Sequence, residues 1–391
     1  MKPTLQRPVA IPTSQSMAVA TPIMPSVVYA SQTPDELDSQ YAGEVQGYTY
    51  AREGHPNADV LARRIDALEG MDGGIIVGSG MAAVSAVLMG LCEQGDHVIG
   101  GSQLYGRSLR MLAEDLPRYG IETSLADTTN ANAVADSIKP NTKLVLVEVV
   151  SNPTIRIADL DGIAEVCAAK GVLLVVDNTF TTPAALKPIE HGADIVLHSV
   201  TKLLAGHADV TLGWVAAKDP ALMERMTIYA VTHGLTGSPF DCWLAERGLA
   251  TFELRYDRAQ QTAQRLADFL AVQPGVRMVA YPTRPDHPES ARAQSLLQGK
   301  GANMVSFEIE GGRTAANAFT STASELAFAP TLGDVGTTIS HPNSSSHRNI
   351  PEAERLENGI TEGFFRVSVG LEDPDALIAA FDKGLKAART S

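Results

Sequence analysis

Nearly continuous apolar runs, separated by helical patterns, are the feature that most limits how this chain can fold. Two of these runs, Leu144–Val150 and Val172–Val176, flank the predicted helix Leu160–Lys170, and a third run covers Asp194–His198. Strands that are apolar on both faces are typical of parallel sheets covered by helices on both sides. We therefore expect an α/β chain with a mostly parallel sheet, whose ligands bind at the carboxyl ends of the strands.

This pattern fails near both ends of the chain, which predicts three parts. Residues 1–54 contain several spaced prolines, which predicts an extended arm. Residues 55–252 carry the alternating strands and helices. Residues 253–391 read as a smaller α+β domain, with helices at Tyr256–Ala271 and Asp375–Ala387, Pro-rich loops, and alternating, half-exposed strands at Met304–Ile309 and Phe364–Val369.

Charge and cysteine content exclude several classes of protein. The 31 Lys and Arg against 45 Asp and Glu give a net charge of −14, and no basic block is present, so we expect no nucleic acid or membrane partner. No apolar segment reaches the length of a membrane span, and Met1–Ala30 lacks a signal-peptide pattern. The three separated cysteines and the histidines lack metal-ligand spacing, so we expect no metal and a reduced, cytoplasmic protein.

Polar residues at the strand ends are the candidates for chemistry. A glycine-rich turn, Gly78–Met81, opens a helix and suits a phosphate group. Asp177 ends one apolar run, and Lys202 follows the next, so the two should meet at one sheet edge, with hydroxyls from Ser199 and Thr201 beside them. Pyridoxal 5'-phosphate requires a phosphate-binding turn, a carboxylate and a lysine at one site, and this sheet edge offers all three.

Other interpretations of these residues remain open. The segment Gly78–Ala83 loosely matches a G-x-G-x-x-A dinucleotide fingerprint, which would indicate a nicotinamide-dependent dehydrogenase. That alternative leaves Lys202 and Asp177 without a role, and the turn does not follow the first strand of a βαβ unit. A non-enzymatic binding protein on the same fold would not need either residue.

Two longer motifs carry a family resemblance. The run Ser-Val-Thr-Lys202, preceded by Val-Val-Asp177-Asn-Thr-Phe-Thr-Thr-Pro183, resembles the Cys/Met-metabolism family of pyridoxal-phosphate enzymes. This trans-sulfuration family includes cystathionine γ-synthase and γ-lyase, methionine γ-lyase and homoserine sulfhydrylases. The resemblance extends from about Tyr48 to Leu385. It implies the fold-type-I transferase fold, with a seven-stranded-type sheet and helices on both faces.

The resemblance also assigns roles to residues. It implies that Lys202 is the catalytic lysine, that Tyr105 stacks on the cofactor ring and acts in catalysis, and that Asn152 lies near the cofactor and substrate. Arg366 would grip the substrate carboxylate near Thr331. The remaining cofactor-binding residues that it implies are Ser79, Gly80, Met81, Asp177, Ser199 and Thr201, together with Tyr50 and Arg52 from a neighbouring subunit.

The activity that the resemblance implies is γ-elimination or γ-replacement on sulfur-containing or O-acyl-homoserine-type amino acids, in a homotetramer of two active dimers. A β-lyase or an aminotransferase of the same cofactor class is the alternative. Two positions depart from the family. Arg107 stands where methionine γ-lyases usually carry cysteine, and 332–338 lacks the Glu-Ser-Leu of many cystathionine enzymes. The leaving group therefore stays open.

Overall fold

The computed structural model describes residues 15–348 and 350–391, and it contains two β-sheets. The predicted arm begins outside this range, because residues 1–14 are not among those described. The larger sheet has seven strands in the order β1-β7-β6-β5-β4-β2-β3. These strands are β1 (Ile75–Val77), β2 (His97–Gly101), β3 (Glu122–Ala126), β4 (Thr142–Glu148), β5 (Leu173–Asp177), β6 (Ile195–His198) and β7 (Gly213–Ala217).

The larger sheet confirms the predicted α/β class. Its strands run parallel except for β7, which is antiparallel to both β1 and β6. All residues of β2, β6 and β7 are buried, which requires cover on both faces of the sheet. The apolar runs of the sequence therefore mark the centre of this sheet.

Helices surround the two sheets. Capping explains several of their starts: the Ser79 side chain accepts a hydrogen bond from Ala82 N at the start of α3, and Asp219 does the same for Ala221 N at α9. The helices are α1 (Pro34–Tyr41), α2 (Pro56–Glu69), α3 (Gly80–Leu91), α4 (Gly106–Arg110), α5 (Leu116–Arg118), α6 (Ala131–Ser137), α7 (Leu160–Lys170), α8 (Thr182–Ala185), α9 (Pro220–Thr232), α10 (Pro239–Leu249), α11 (Phe252–Ala271), α12 (Ser290–Leu296), α13 (Gly312–Thr322), α14 (Glu352–Glu357) and α15 (Pro374–Thr390).

The smaller sheet lies in the C-terminal part and encloses a second core. Its order is β10-β11-β12-β9-β8, with strands β8 (Val276–Ala280), β9 (Met304–Ile309), β10 (Ala327–Phe328), β11 (Thr338–Ser340) and β12 (Phe364–Ser368). Four aromatic rings meet at centroid distances of 5.2–6.0 Å in this core: Phe307, Phe319, Phe365 and Phe381. The core of the larger sheet also takes in residues beyond 252, among them Ala293, Leu296 and Met304, so the division of the chain at residue 252 stays a prediction.

The prediction that β9 and β12 are half-exposed is wrong. Every residue of β12 and all but one residue of β9 are buried. Phe365 and Val367 face the aromatic core, whereas Arg366 and Ser306 point toward the larger domain, where Arg366 bonds Asn152 and Ser306 bonds the Pro153 carbonyl. The polar residues in the alternating pattern therefore face a domain contact and not solvent.

The structure contains more helices and strands than the sequence pattern predicts. The stretch read as Pro-rich loops after α11 contains β8 and α12, while β3, α6, α9 and α10 were not anticipated. A π-helical turn at Met111–Asp115 joins α4 to α5. None of the helices in the described ranges is long and apolar enough to cross a membrane.

Candidate active site

A cavity of about 230 Å³ lies at the carboxyl ends of the central parallel strands. It is lined by strand-end residues of the larger sheet, by the start of α3, and by Arg366 from the smaller sheet. All the predicted site residues except Tyr50 and Arg52 line it: Ser79, Gly80, Met81, Tyr105, Asn152, Asp177, Ser199, Thr201, Lys202, Thr331 and Arg366.

Asp177 is a half-buried carboxylate without a cationic partner among the described residues. It ends β5, and its Oδ1 accepts a hydrogen bond from Thr179 N at 3.0 Å. No Lys, Arg or His side chain among the described residues lies within 4.0 Å ion-pair distance of it. Burial raises its pKa, and the hydrogen bonds from Thr179 and the field of His198 act in the opposite direction. A cation in the cavity would compensate this carboxylate.

Lys202 follows β6 in a loop that is held by its own backbone. Lys202 N donates to the Ser199 carbonyl at 3.1 Å, and Gly206 N donates to the Lys202 carbonyl at 2.8 Å. Burial lowers the pKa of the Lys202 amine, and the positive charge of Arg366 lowers it further. The amine is therefore easier to deprotonate than an exposed lysine, as nucleophilic and basic roles require.

The turn at the start of α3 passes unusually close to the Lys202 loop. A Cβ on Gly80 would lie 2.6 Å from Ser199 Cβ, so only glycine allows this approach. The first backbone N–H groups of α3 thereby lie beside Ser199, where they can bind an anion. The Thr201 hydroxyl lines the same cavity, although it also accepts a hydrogen bond from Leu212 N at 3.0 Å.

Arg366 is a buried guanidinium that holds two neutral acceptors. Its Nη1 donates to Asn152 Oδ1 and its Nη2 to the Thr331 carbonyl, both at 2.7 Å. Its Nε is buried with no partner in the part of the chain that the structure describes. Burial lowers the pKa of Arg366 to about 10, which still leaves it charged at neutral pH. A positive charge fixed in this way fits an anionic ligand group.

Glu148 is a cavity residue that sequence reasoning missed. It ends β4 directly beside Asp177 in the sheet register, and its Oε1 accepts a hydrogen bond from Tyr105 N at 2.7 Å. Burial, followed by the charge of Asp177, raises the pKa of Glu148 well above its usual range. The signal was present, because Glu148 ends an apolar strand as Asp177 does. The strand predicted from the sequence ends at Val150, which makes Glu148 an interior strand residue and not a strand-end residue.

Tyr50 and Arg52 lie away from this cavity. Arg52 Nη1 donates to the Val231 carbonyl at 2.9 Å, its guanidinium lies 5.7 Å from the Tyr50 ring centroid, and Tyr50 is 42% exposed. Within one chain these two residues therefore do not meet Lys202. Arg107, which stands where methionine γ-lyases usually carry cysteine, is exposed and is not part of the cavity lining.

The donor set fits pyridoxal phosphate. An uncompensated carboxylate suits a protonated ring nitrogen, the Gly80 turn suits a phosphate, and a partly desolvated lysine suits the aldehyde. Fold and cavity together are those of a fold-type-I pyridoxal-phosphate enzyme. The family model described as Cys/Met metabolism PLP-dependent enzyme matches residues 9–386, and the chain belongs to that family.

Individual relatives have related activities in their names. The chain is 41% identical over 369 residues to cystathionine beta-lyase MetC of Bacillus subtilis (strain 168), covering 94% of this chain and 92% of the relative. It is 38% identical over 359 residues to O-succinylhomoserine sulfhydrylase of Pseudomonas aeruginosa, covering 92% and 89%. A crystal structure of cystathionine gamma synthase from Xanthomonas oryzae pv. oryzae superimposes with a TM-score of 0.90 at 36% identity, covering 95% and 94%.

These findings confirm the cofactor and the enzyme class. The protein is a pyridoxal-phosphate-dependent lyase or γ-substituting transferase of trans-sulfuration and methionine metabolism. The dehydrogenase alternative is dropped, because the family is one of pyridoxal-phosphate enzymes. In addition, the strand before Gly78, β1, pairs antiparallel with β7 and is not part of a parallel βαβ unit.

Replacing Glu148 by glutamine should stabilise the holoenzyme increasingly as the pH rises. A carboxyl whose pKa is raised on folding favours the fold below its unfolded pKa, and that contribution is lost as the pH rises toward the folded pKa. Glutamine cannot ionise, and its Oε1 can still accept from Tyr105 N. The gain over wild type should grow by at most about 1.4 kcal/mol per pH unit above roughly pH 4.3.

Melting temperatures of both proteins between pH 5 and pH 8, with saturating cofactor, measure this difference. The control is Glu122→Gln, because the ion pair and hydrogen bond with Lys139 lower the pKa of the exposed Glu122. Its difference from wild type should be small and of the opposite sign. A Glu148→Gln difference that stays constant with pH would contradict the raised pKa.

Proposed function

We propose that the enzyme catalyses γ-elimination or γ-replacement on small amino acids with a sulfur or O-acyl leaving group at Cγ. The observation that carries this proposal is the buried, incompletely paired guanidinium of Arg366 in one cavity with Lys202 and Asp177. An α-carboxylate on Arg366 would hold an amino acid with its Cα near the lysine. The relatives' names support sulfur and homoserine chemistry in particular.

Arg366 would select and orient the substrate. Its Nε has no partner among the described residues, and Asn152 and Thr331 fix the plane of the guanidinium. An α-carboxylate would accept from Nε, and the charge-assisted bond would restrict rotation of the substrate. Asn152 and Thr331 therefore act mainly by orienting Arg366.

Lys202 would move the protons. When bound, pyridoxal phosphate supplies an aldehyde that condenses with amines and a ring that accepts the electron pair of the breaking C–H bond. The Lys202 amine, whose pKa is lowered by burial, removes a proton from substrate Cα and then one from Cβ. Tyr105 stands at the cavity wall, where its hydroxyl can exchange a proton with the leaving group at Cγ.

The remaining cavity residues would bind the cofactor. Asp177 holds the proton on the ring nitrogen, because a carboxylate favours the protonated form of a nearby base. Ser79, Gly80 and Met81 provide backbone N–H groups for the phosphate, and the hydroxyls of Ser199 and Thr201 line the same side of the cavity.

A second candidate is β-elimination from cystathionine. It is favoured by the name of the Bacillus subtilis relative, cystathionine beta-lyase, at 41% identity. Both reactions require a lysine base, an electron-accepting ring and a site for the carboxylate, so the residues described above serve either one. The difference lies in whether Cβ or Cγ carries the bond that breaks.

Product analysis on cystathionine separates the two candidates. Elimination at Cγ gives cysteine, 2-oxobutanoate and ammonia, whereas elimination at Cβ gives homocysteine, pyruvate and ammonia. The panel also contains methionine and O-acetyl- and O-succinyl-homoserine, each with and without added cysteine. We expect 2-oxobutanoate without a thiol, or a thioether product with it. Pyruvate as the main product from cystathionine, with no turnover of homoserine esters, would establish the β-lyase instead.

The chain also supports a shared active site in an oligomer, and we propose the homotetramer of two active dimers. The arm exposes several large apolar side chains, which is unusual for a surface that stays in water. These are Met17, Val19, Ile23, Met24, Val27, Val28, Tyr41, Val45 and Tyr50. Tyr50 and Arg52 at the end of the arm would then contact the cofactor phosphate of a neighbouring subunit. The cytoplasmic location stays a prediction.

Lys202→Ala should lose covalent attachment of the cofactor and nearly all turnover. Borohydride reduction of wild type should fix the cofactor on the peptide containing Lys202, as read by mass spectrometry. In the variant no peptide should gain this mass, and kcat/KM should fall by roughly a thousandfold or more. Lys218→Ala is the control, since Lys218 is exposed after β7 and outside the cavity lining. Normal attachment in Lys202→Ala would refute the assignment.

Mixing two inactive variants tests the shared site. Arg52→Ala and Lys202→Ala should each be inactive alone, because each lacks a residue of every site. In a hybrid dimer one site regains both residues, so equal mixing should restore about a quarter of wild-type activity if subunits exchange freely. Native mass spectrometry verifies the exchange. No recovery among verified hybrids would mean that each site is built from one chain.

A further inference from the structure

A buried polar cluster lies outside the cavity and joins three elements of the larger domain. Glu69 is the last residue of α2, and its Oε1 accepts hydrogen bonds from Asn178 Nδ2 at 2.8 Å and from His198 Nε2. Glu69, Asn178 and His198 are all fully buried. We call these three residues the Glu69 cluster. None of them lines the cavity or has a role in the mechanism above.

The Glu69 cluster is placed at the ends of the two strands that carry the active-site groups. Asn178 directly follows Asp177, and His198 directly precedes Ser199 in the loop to Lys202. One carboxylate oxygen therefore holds the end of β5 and the end of β6 together. Asn178 N also donates to the Leu197 carbonyl at 3.0 Å, which continues the pairing of the two strands.

Stability alone does not explain this arrangement. One polar atom of each member is buried without a hydrogen-bond partner in the described structure: Glu69 Oε2, Asn178 Oδ1 and His198 Nδ1. Each such atom lowers the stability of the fold, and apolar residues of similar volume often replace buried polar groups without loss of stability. The position of the cluster, immediately behind Asp177 and the Lys202 loop, indicates another use.

We propose that Glu69 is a positioning residue that fixes Asp177 and the Lys202 loop relative to each other, and so sets how tightly the cofactor is held. This inference rests on the roles of Asp177 and Lys202 proposed above. A cofactor that contacts both groups at once binds best when their separation is fixed before it arrives. Two hydrogen bonds to one oxygen supply that restraint without entering the cavity.

The chain contains a closely matched control, Glu246 on α10. Glu246 is also buried, is also a glutamate, and also has an Oε2 without a partner. Its Oε1 accepts from the Thr21 hydroxyl at 2.6 Å and pairs with Arg64 at 2.9 Å. These contacts hold the arm and α2 and do not reach the ends of β5 or β6. Truncating Glu246 therefore removes a similar interaction that touches neither Asp177 nor the Lys202 loop.

The experiment compares Glu69→Ala, Glu69→Gln and Glu246→Ala as full-length holoenzymes. Cofactor dissociation is measured by stepwise dilution, with visible absorbance as the signal, and the absorbance is also titrated with pH. Glu69→Ala should raise the dissociation constant by about 10- to 100-fold, the usual effect of losing a partner that orients a binding group. Glu69→Gln keeps an acceptor oxygen and should recover to within about threefold of wild type.

Each outcome decides the proposal. Glu246→Ala should lower the melting temperature yet leave the dissociation constant and the absorbance titration near wild type. Equal cofactor loss in Glu69→Ala and Glu246→Ala, or unchanged cofactor affinity in Glu69→Ala, would overturn the proposal. Glu69 would then contribute only to the stability of the fold. If Glu69→Ala does not fold, Asn178→Ala removes one of the two hydrogen bonds and should weaken cofactor binding in the same direction, and unchanged affinity there would overturn the proposal.

Failure of this inference is distinguishable from failure of the proposed function. Covalent attachment at Lys202 is tested independently by mass spectrometry of the wild-type enzyme. If attachment is found elsewhere, the proposed site itself is wrong. If attachment is at Lys202 and Glu69→Ala retains the cofactor normally, only the positioning role of Glu69 is wrong.

Discussion

Two charges that the described chain leaves without an ionic partner, the half-buried Asp177 and the buried Arg366, are the constraint on which the site depends. Burying an unpaired charge is costly, so a protein retains one only where a ligand compensates it. Here the protein supplies neutral contacts alone: a backbone N–H for Asp177, and two neutral oxygen acceptors for Arg366. The cavity between these groups is therefore complementary to a molecule that carries a cationic ring nitrogen and a carboxylate.

The smaller sheet explains how one of these charges reaches the cavity. Along β12 the side chains alternate, so that Phe365 and Val367 pack in the aromatic core while Arg366 faces the larger domain. Because the core rings interlock, the strand cannot shift without losing packing, and the guanidinium position is fixed with it. A register change of one residue would place Arg366 in the aromatic core. The second core thus holds a binding group in place for the first domain.

Much of this architecture could be predicted from the sequence, and the limits have physical causes. Asp177 and Lys202 were recognisable because each follows a nearly pure apolar run, and strand ends in parallel sheets converge. The burial of β9 and β12 was not recognisable, because a polar residue that faces another domain gives the same alternation as one that faces water. Glu148 was overlooked because the position of a strand end can be predicted only to within a few residues. A single carboxylate within an apolar run is therefore easily assigned to the middle of the strand.

The roles of Tyr50, Arg52 and Glu69 could not be predicted from sequence patterns for a different reason. Tyr50 and Arg52 were singled out by family resemblance, and in one chain they lie away from the cavity, so that geometry within the chain cannot test them. Glu69 ends a helix, and a helix-terminal glutamate is ordinarily a solvated residue. Only the folded structure, which brings the end of α2 to the residues at the ends of β5 and β6, reveals its contacts with Asn178 and His198.

The same charges also link substrate binding to the basicity of Lys202. Two causes lower the pKa of its amine, first burial and then the positive charge of Arg366. A carboxylate bound to Arg366 offsets the second cause and leaves only burial. When the amine is free, it therefore attracts a proton more strongly with an amino acid in the cavity than without one. In the proposed function, Arg366 would therefore have two effects from one contact: it would orient the substrate, and it would make the neighbouring lysine a stronger base when there is a proton to remove.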